Sequence, residues 1–249
     1  MVYRLGRHLD ELRARGERAL VVFITAGDAP LSDLPRLLRT LEAGGADVIE
    51  VGIPFSDPFG EGPTIQASSQ RALDRGTTPG AILDAMGQAG VGIPMLTMGY
   101  VNPVMRMGWD EFARRSAAAG ASGTIISDLV PDEARRWSEA SAANDLDTVF
   151  LAAPTSTDQR LDQVAERSTG FVYAVSRTGV TGAENEVPPE VGDLVAKIRA
   201  RTDRPVCVGF GVSTAEHVRR VCAVADGAVV GSALVAFLHR EWGKDGDEV

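Results

Sequence analysis

The sequence predicts an α/β chain folded as one (β/α)8 barrel, the TIM-barrel architecture, with an extra N-terminal helix. Three observations lead there. Eight short, β-branched, nearly apolar runs alternate with longer amphipathic stretches. The runs are apolar on both faces, as parallel strands covered on both sides are. The length, 249 residues, is usual for one such barrel, and no linker or charge run divides it, so residues 1–249 read as a single domain. An open doubly wound sheet is the competing architecture. It would need a glycine-rich GxGxxG turn after the first strand, where this chain has Thr25-Ala-Gly-Asp28.

The predicted strands are Ala19–Thr25, Asp47–Val51, Ile93–Met98, Gly123–Ser127, Thr148–Ala152, Gly170–Val175, Pro205–Gly209 and Gly227–Val230. An amphipathic segment, Leu5–Arg15, precedes the first and is placed to cap the barrel floor. Leu34–Gly44 ends on glycines, and Asp110–Gly120 starts on a capping residue and ends on Gly. Pro131–Asn144 opens with Pro in its first turn. Thr157–Ser168, Pro189–Arg201 and Thr214–Val224 complete the outer helices. The second crossover is longer, with a loop, Pro54–Pro63, and two helical patterns, Thr64–Arg75 and Pro79–Gln88.

Composition excludes several classes of function. The net charge is −9, which argues against nucleic acid as a partner, because phosphate-backbone binding rests on clustered positive charge. A small phosphorylated ligand stays open, since backbone N–H groups bind phosphate without it. Met1 to Arg18 is charged throughout and carries no apolar core of a signal peptide. Gly227–Leu238 is too short to span a bilayer. These features predict a cytoplasmic protein that does not enter membranes. Cys207 and Cys222 lack metal or redox spacing and read as reduced thiols. His8, His217 and His239 lie far apart in helical patterns, so no metal site is expected. No GxSxG occurs, which removes the serine hydrolases.

In a barrel of this kind the chemistry sits at the C-terminal ends of the strands. Three turns there are rich in Gly, Ser and Thr: Ser176–Gly182, Gly209–Ser213 and Gly231-Ser232. Glycine lets backbone approach an anion, and the next helix points free N–H groups at it. Gly182, Gly211, Gly231 and Ser232 are therefore the candidate phosphate ligands, with Arg177 either nearby or solvated. Two carboxylates stand out. Glu50 falls on the opposite strand face from Ile49 and Val51, which aims it into the barrel mouth, where a charge is costly without a task or a partner. Glu61 lies between glycines in the long loop after the second strand. Asp57 reads as a turn former and Asp128 as the cap of the next helix in the chain.

These residues carry a resemblance along nearly the whole chain. Glu50-Val-Gly-Ile-Pro-Phe-Ser-Asp-Pro58, Gly62-Pro-Thr-Ile-Gln66, Tyr100-Val-Asn-Pro103, Ser176–Asn185, Gly209–Ser213 and Val230–Ala233 resemble the signatures of the tryptophan synthase α-subunit family. The resemblance implies a carbon–carbon lyase: retro-aldol cleavage of indole-3-glycerol phosphate to indole and glyceraldehyde 3-phosphate. It implies Glu50 as general acid and base and Glu61 as the carboxylate facing the indole N–H. It implies an indole pocket of Phe23, Tyr100, Leu151, Tyr173, Thr181 and Phe210. It implies no cofactor in this chain, with pyridoxal phosphate held only by a β-subunit partner in an α2β2 assembly. The sequence departs from the family in three ways. Glu61 stands where the family has aspartate, after an unusual Phe59-Gly60. The chain ends soon after the eighth helix begins, so a shortened C-terminus is expected. The last residues, 243–249, are expected to be disordered. The departures keep two alternatives open: a stand-alone lyase that releases free indole, and a non-catalytic barrel that binds the phosphate ligand and regulates a β subunit.

Overall fold

A computed structural model describes residues 4–175, 189–209 and 211–242. Eight parallel strands close into a barrel in sequence order. They are β1 (Ala19–Thr25), β2 (Val48–Gly52), β3 (Met95–Gly99), β4 (Ala121–Ile126), β5 (Asp147–Ala152), β6 (Val172–Val175), β7 (Val206–Gly209) and β8 (Gly227–Val230). Closure is made by β8 pairing with β1, Ala19 opposite Gly227. Eleven α-helices lie among the described residues: α1 (Arg4–Ala14), α2 (Leu34–Ala43), α3 (Pro63–Asp74), α4 (Pro79–Met86), α5 (Val101–Met107), α6 (Trp109–Ala118), α7 (Arg135–Ala142), α8 (Asp158–Arg167), α9 (Pro189–Arg199), α10 (Ala215–Val224) and α11 (Ser232–Glu241). The helix expected before the first strand is present. None is long and apolar enough to cross a membrane.

Strand parity divides the core in two. Outward residues such as Val22, Ile24, Ile49, Val51, Val172 and Val208 pack against the helices. Inward residues Val21, Val48, Leu96, Ile125, Val149, Phe171, Cys207 and Val229 fill the barrel interior. Leu5, Leu9 and Leu12 of α1 join this inner cluster and are almost wholly buried, so α1 plugs the N-terminal end. Each such leucine contributes roughly 1.5–3 kcal/mol by leaving water. Asp147, buried at the start of β5, anchors the plug. Its Oδ2 accepts the Gly6 N–H at 3.2 Å and its Oδ1 accepts the Thr169 hydroxyl at 2.8 Å.

Local sequence accounts for three of the helix starts. Thr78, Thr157 and Thr214 each cap a helix by accepting a backbone N–H three residues on, from Ala81, Arg160 and His217. Two expectations are corrected. The stretch expected as one helix from Pro131 begins as a 3-10 turn, Pro131–Glu133, and becomes α-helical only at Arg135. The segment after β3, to which no helix was assigned from the sequence, is the helix α5. Pro103 is tolerated at its third position because a first-turn N–H has no intrahelical acceptor.

Candidate active site

Glu50 is the third residue of β2 and points inward, opposite Phe23 on β1 and Leu96 on β3. It is 0% exposed, and among the described residues neither carboxylate oxygen has a hydrogen-bond partner. Burial pushes its carboxyl up to about 8, and the charge of Glu61 pushes the same way. The group therefore holds its proton at neutral pH. It is a buried acid with no acceptor for its proton among the described residues.

Glu61 sits at the end of the loop between β2 and α3, half-buried, and burial raises its carboxyl above the usual range. The loop is fixed on both sides of it. The Glu61 N–H donates to Pro58 O at 2.9 Å, and the Gln66 side-chain amide donates to Glu61 O at 2.8 Å. The Gly60 N–H donates to the Tyr100 hydroxyl at 3.3 Å. Tyr100 stacks on Phe55 with ring centroids 5.1 Å apart and meets Phe59 edge-on at 5.6 Å. Burial and the charge of Glu61 push the Tyr100 hydroxyl up to about 12, so it stays neutral.

Below this loop lies a narrow cleft with a cavity volume of about 20 Å³. Its walls include Phe23, Ile65, Met98, Tyr100, Ser127 and Glu61. Phe23, Ile65 and Val235 form a small buried cluster that ties β1 to α3 and α11. Phe23 fits because position 52 is glycine: a Cβ there would lie 2.5 Å from the ring Cζ and 2.8 Å from Ile24 O. Leu151 and Tyr173 face inward as register partners on β5 and β6. Burial, with Glu50 and Glu61 beyond it, holds the Tyr173 hydroxyl well above its ordinary value. Gly209 leaves room for that hydroxyl at the end of β7.

Three of the phosphate candidates, Gly211, Gly231 and Ser232, follow β7 and β8 at the same rim. Gly231 precedes α11 and lies beside Phe23; a Cβ on it would be 3.7 Å from Phe23 Cβ. Ser232 is the exposed first residue of α11, whose first-turn N–H groups face outward from the rim. Gly211 comes after β7 with φ of 75°, a conformation that favours glycine. Gly182, Thr181, Phe210 and Arg177 fall outside the described residues.

Asp128 differs from expectation. Its Oδ1 accepts the Val101 N–H at 2.7 Å, so it caps α5 from the neighbouring crossover instead of the helix next to it in the chain. Sequence reading missed Thr25, Ile65, Met98 and Ser127 as cleft residues. Thr25 and Ser127 were within reach, since counting by twos from Phe23 and from Ile125 puts both inward. Among the described residues no cluster of three His, Cys, Asp or Glu side chains could hold a metal.

The fold is a (β/α)8 barrel that holds a protonated, buried Glu50 and a second carboxyl of raised pKa, Glu61, toward its C-terminal rim, groups suited to acid–base chemistry. The comparisons with known proteins give the family. Residues 9–248 match the family model described as tryptophan synthase alpha chain. The chain is 47% identical over 238 residues to the tryptophan synthase alpha chain of Gloeobacter violaceus, covering 94% of this chain and 86% of that one. It is 44% identical to that of Pelobacter propionicus, covering 97% and 91%. Among solved structures, tryptophan synthase from Mycobacterium tuberculosis superposes with a TM-score of 0.90 at 41% identity over 96% of this chain and 93% of that one. The tryptophan synthase alpha subunit of Legionella pneumophila also superposes with a TM-score of 0.90, at 34% identity over 99% and 93%. The chain belongs to the tryptophan synthase alpha chain family.

Proposed function

We infer that this chain cleaves indole-3-glycerol phosphate to indole and glyceraldehyde 3-phosphate, as the α component of tryptophan synthase. The observation that carries the reading is Glu50: a protonated, unpartnered carboxyl in the mouth of a barrel of this family. Glu50 delivers its proton to indole C3, which places positive charge on the ring nitrogen. The carboxylate of Glu61 faces the ring N–H and stabilises that charge, and the developing cation in turn favours the ionised form of Glu61. The bond from C3 to the side chain then breaks. The hydroxyl on the departing carbon gives its proton to Glu50 and becomes the aldehyde carbonyl. One carboxyl thus gives a proton and regains one, and the reaction consumes neither water nor a net proton.

Phe23, Tyr100, Leu151, Tyr173, Thr181 and Phe210 hold the ring, and Gly182, Gly211, Gly231 and Ser232 hold the phosphate through backbone N–H groups and a hydroxyl. The chain needs no cofactor for these steps. It works in the cytoplasm and hands indole to a β subunit that carries pyridoxal phosphate, in an α2β2 assembly.

The test is indole release from indole-3-glycerol phosphate by the purified chain, with and without an added tryptophan synthase β subunit. Slow release alone and faster release with the β subunit is the expected result. Brisk release unchanged by the β subunit would favour a stand-alone lyase. No release in either case, or full turnover by Glu50→Gln, would overturn the reading.

A further inference from the structure

Ser127 closes β4 at the rim. Its N–H donates to Gly99 O at 2.8 Å, which carries the β3–β4 pairing one residue past the strand. Parity places it inward above Ile125, and it lines the cleft with Phe23, Met98 and Tyr100. Its Oγ is buried and has no hydrogen-bond partner among the described residues. The neighbouring cleft hydroxyls differ: Thr25 is paired with Ser68 at 2.6 Å, and Tyr100 accepts the Gly60 N–H. An unpartnered buried hydroxyl is costly, and a small alkyl side chain would serve an all-hydrocarbon ring edge better. Plain indole offers a single polar group, the ring N–H, which the proposed function assigns to Glu61. Ser127 is then left facing hydrocarbon.

We propose that Ser127 is a specificity-determining residue, and that it fits the pocket to indole rings that carry a hydroxyl on the benzo edge. The proposal rests on the reading of this cleft as the indole pocket. A substrate hydroxyl at that edge pairs with Ser127 and removes its orphaned state. A methyl group of similar size at the same place fills the space and leaves Ser127 unpaired. Sites that hydrogen-bond a substrate hydroxyl discriminate in this way, because the analogue lacking it strands a buried polar group.

The reverse reaction tests this with simple reagents. Glyceraldehyde 3-phosphate is condensed with indole, with the 4-, 5-, 6- and 7-hydroxyindoles, and with the methylindoles of the same positions. In each condensation the C3–H proton is lost, the carbon–carbon bond forms and the aldehyde becomes a hydroxyl. At one ring position the hydroxyindole should exceed its methyl counterpart in kcat/KM by roughly tenfold, the size of one net hydrogen bond. Ser127→Ala should bring that ratio to near one, and Ser127→Thr, which keeps the hydroxyl, should retain most of it. A wild-type chain with no hydroxyl preference at any position overturns the proposal, as does a preference that survives in Ser127→Ala. If indole itself is not condensed, the reading of the pocket fails first and takes the proposal with it.

Discussion

The backbone N–H of Gly60 donates to the hydroxyl of Tyr100 across 3.3 Å, one residue before Glu61. A carboxylate on a surface loop is thereby tied to the rigid end of β3. Tyr100→Phe keeps the ring contacts with Phe55 and Phe59 but removes the acceptor. A net hydrogen bond is worth about 1 kcal/mol, so kcat for indole release should fall by roughly five- to tenfold while the protein stays folded. Steady-state kinetics beside a thermal melt would check it. An unchanged kcat would mean the loop is held without this bond.

By the sequence resemblance Glu61 stands in place of an aspartate, which is one methylene shorter, a difference of about 1.5 Å in reach. The three hydrogen bonds at Pro58, Gln66 and Gly60 fix the backbone around it. A shorter side chain cannot be met by a shift of the loop without breaking them. Glu61→Asp should therefore be slower than the wild type, by up to about 100-fold in kcat. A faster variant would show that glutamate is an ill-fitting replacement.

Glu50 links activity and stability to pH. Its carboxyl lies at about 8 in the fold, against 4.5 for an ordinary glutamate. Between those values the native state keeps a proton that the unfolded chain releases. Stability is then greatest below about pH 4.5 and declines as pH rises through about 8, by up to roughly 1.4 kcal/mol per pH unit. Glu50→Gln cannot titrate, so urea midpoints should show its stability gaining on the wild type from pH 5 to 8.5. Wild-type kcat/KM should fall above about pH 8 as the acid form is lost. A constant gap between the two midpoints would place the Glu50 titration at its ordinary value.

Asp147 holds the floor of the barrel to the N-terminal helix through Gly6 and Thr169. Asp147→Ala strands both donors in a buried place. It should cost about 2–3 kcal/mol of unfolding free energy in chemical denaturation. A change below about 0.5 kcal/mol would show that the leucines of α1 hold the plug unaided.

Much of this was legible in the sequence. Parallel strands covered on both faces announce themselves as apolar runs, and parity alone aimed Glu50 inward. The helix α1 was readable as a floor because it is amphipathic and precedes the first strand. The features that escaped depended on neighbours distant in the chain. Asp128 has the look of an N-cap for the helix just after it, but its acceptor oxygen is taken by Val101, 27 residues earlier. Ser127 closes an ordinary strand, and only the packing of Met98 and Tyr100 around it shows that its hydroxyl is stranded. The helix α5 was hidden by Pro103, a residue that breaks helices everywhere except in their first turn.

The leucines of α1 have a consequence for traffic. With Leu5, Leu9 and Leu12 wedged into the far end, the barrel is a cup and not a pipe. The floor is closed to ligands, and any that reach the interior pass the C-terminal rim, of which the loop bearing Phe59 and Glu61 forms part.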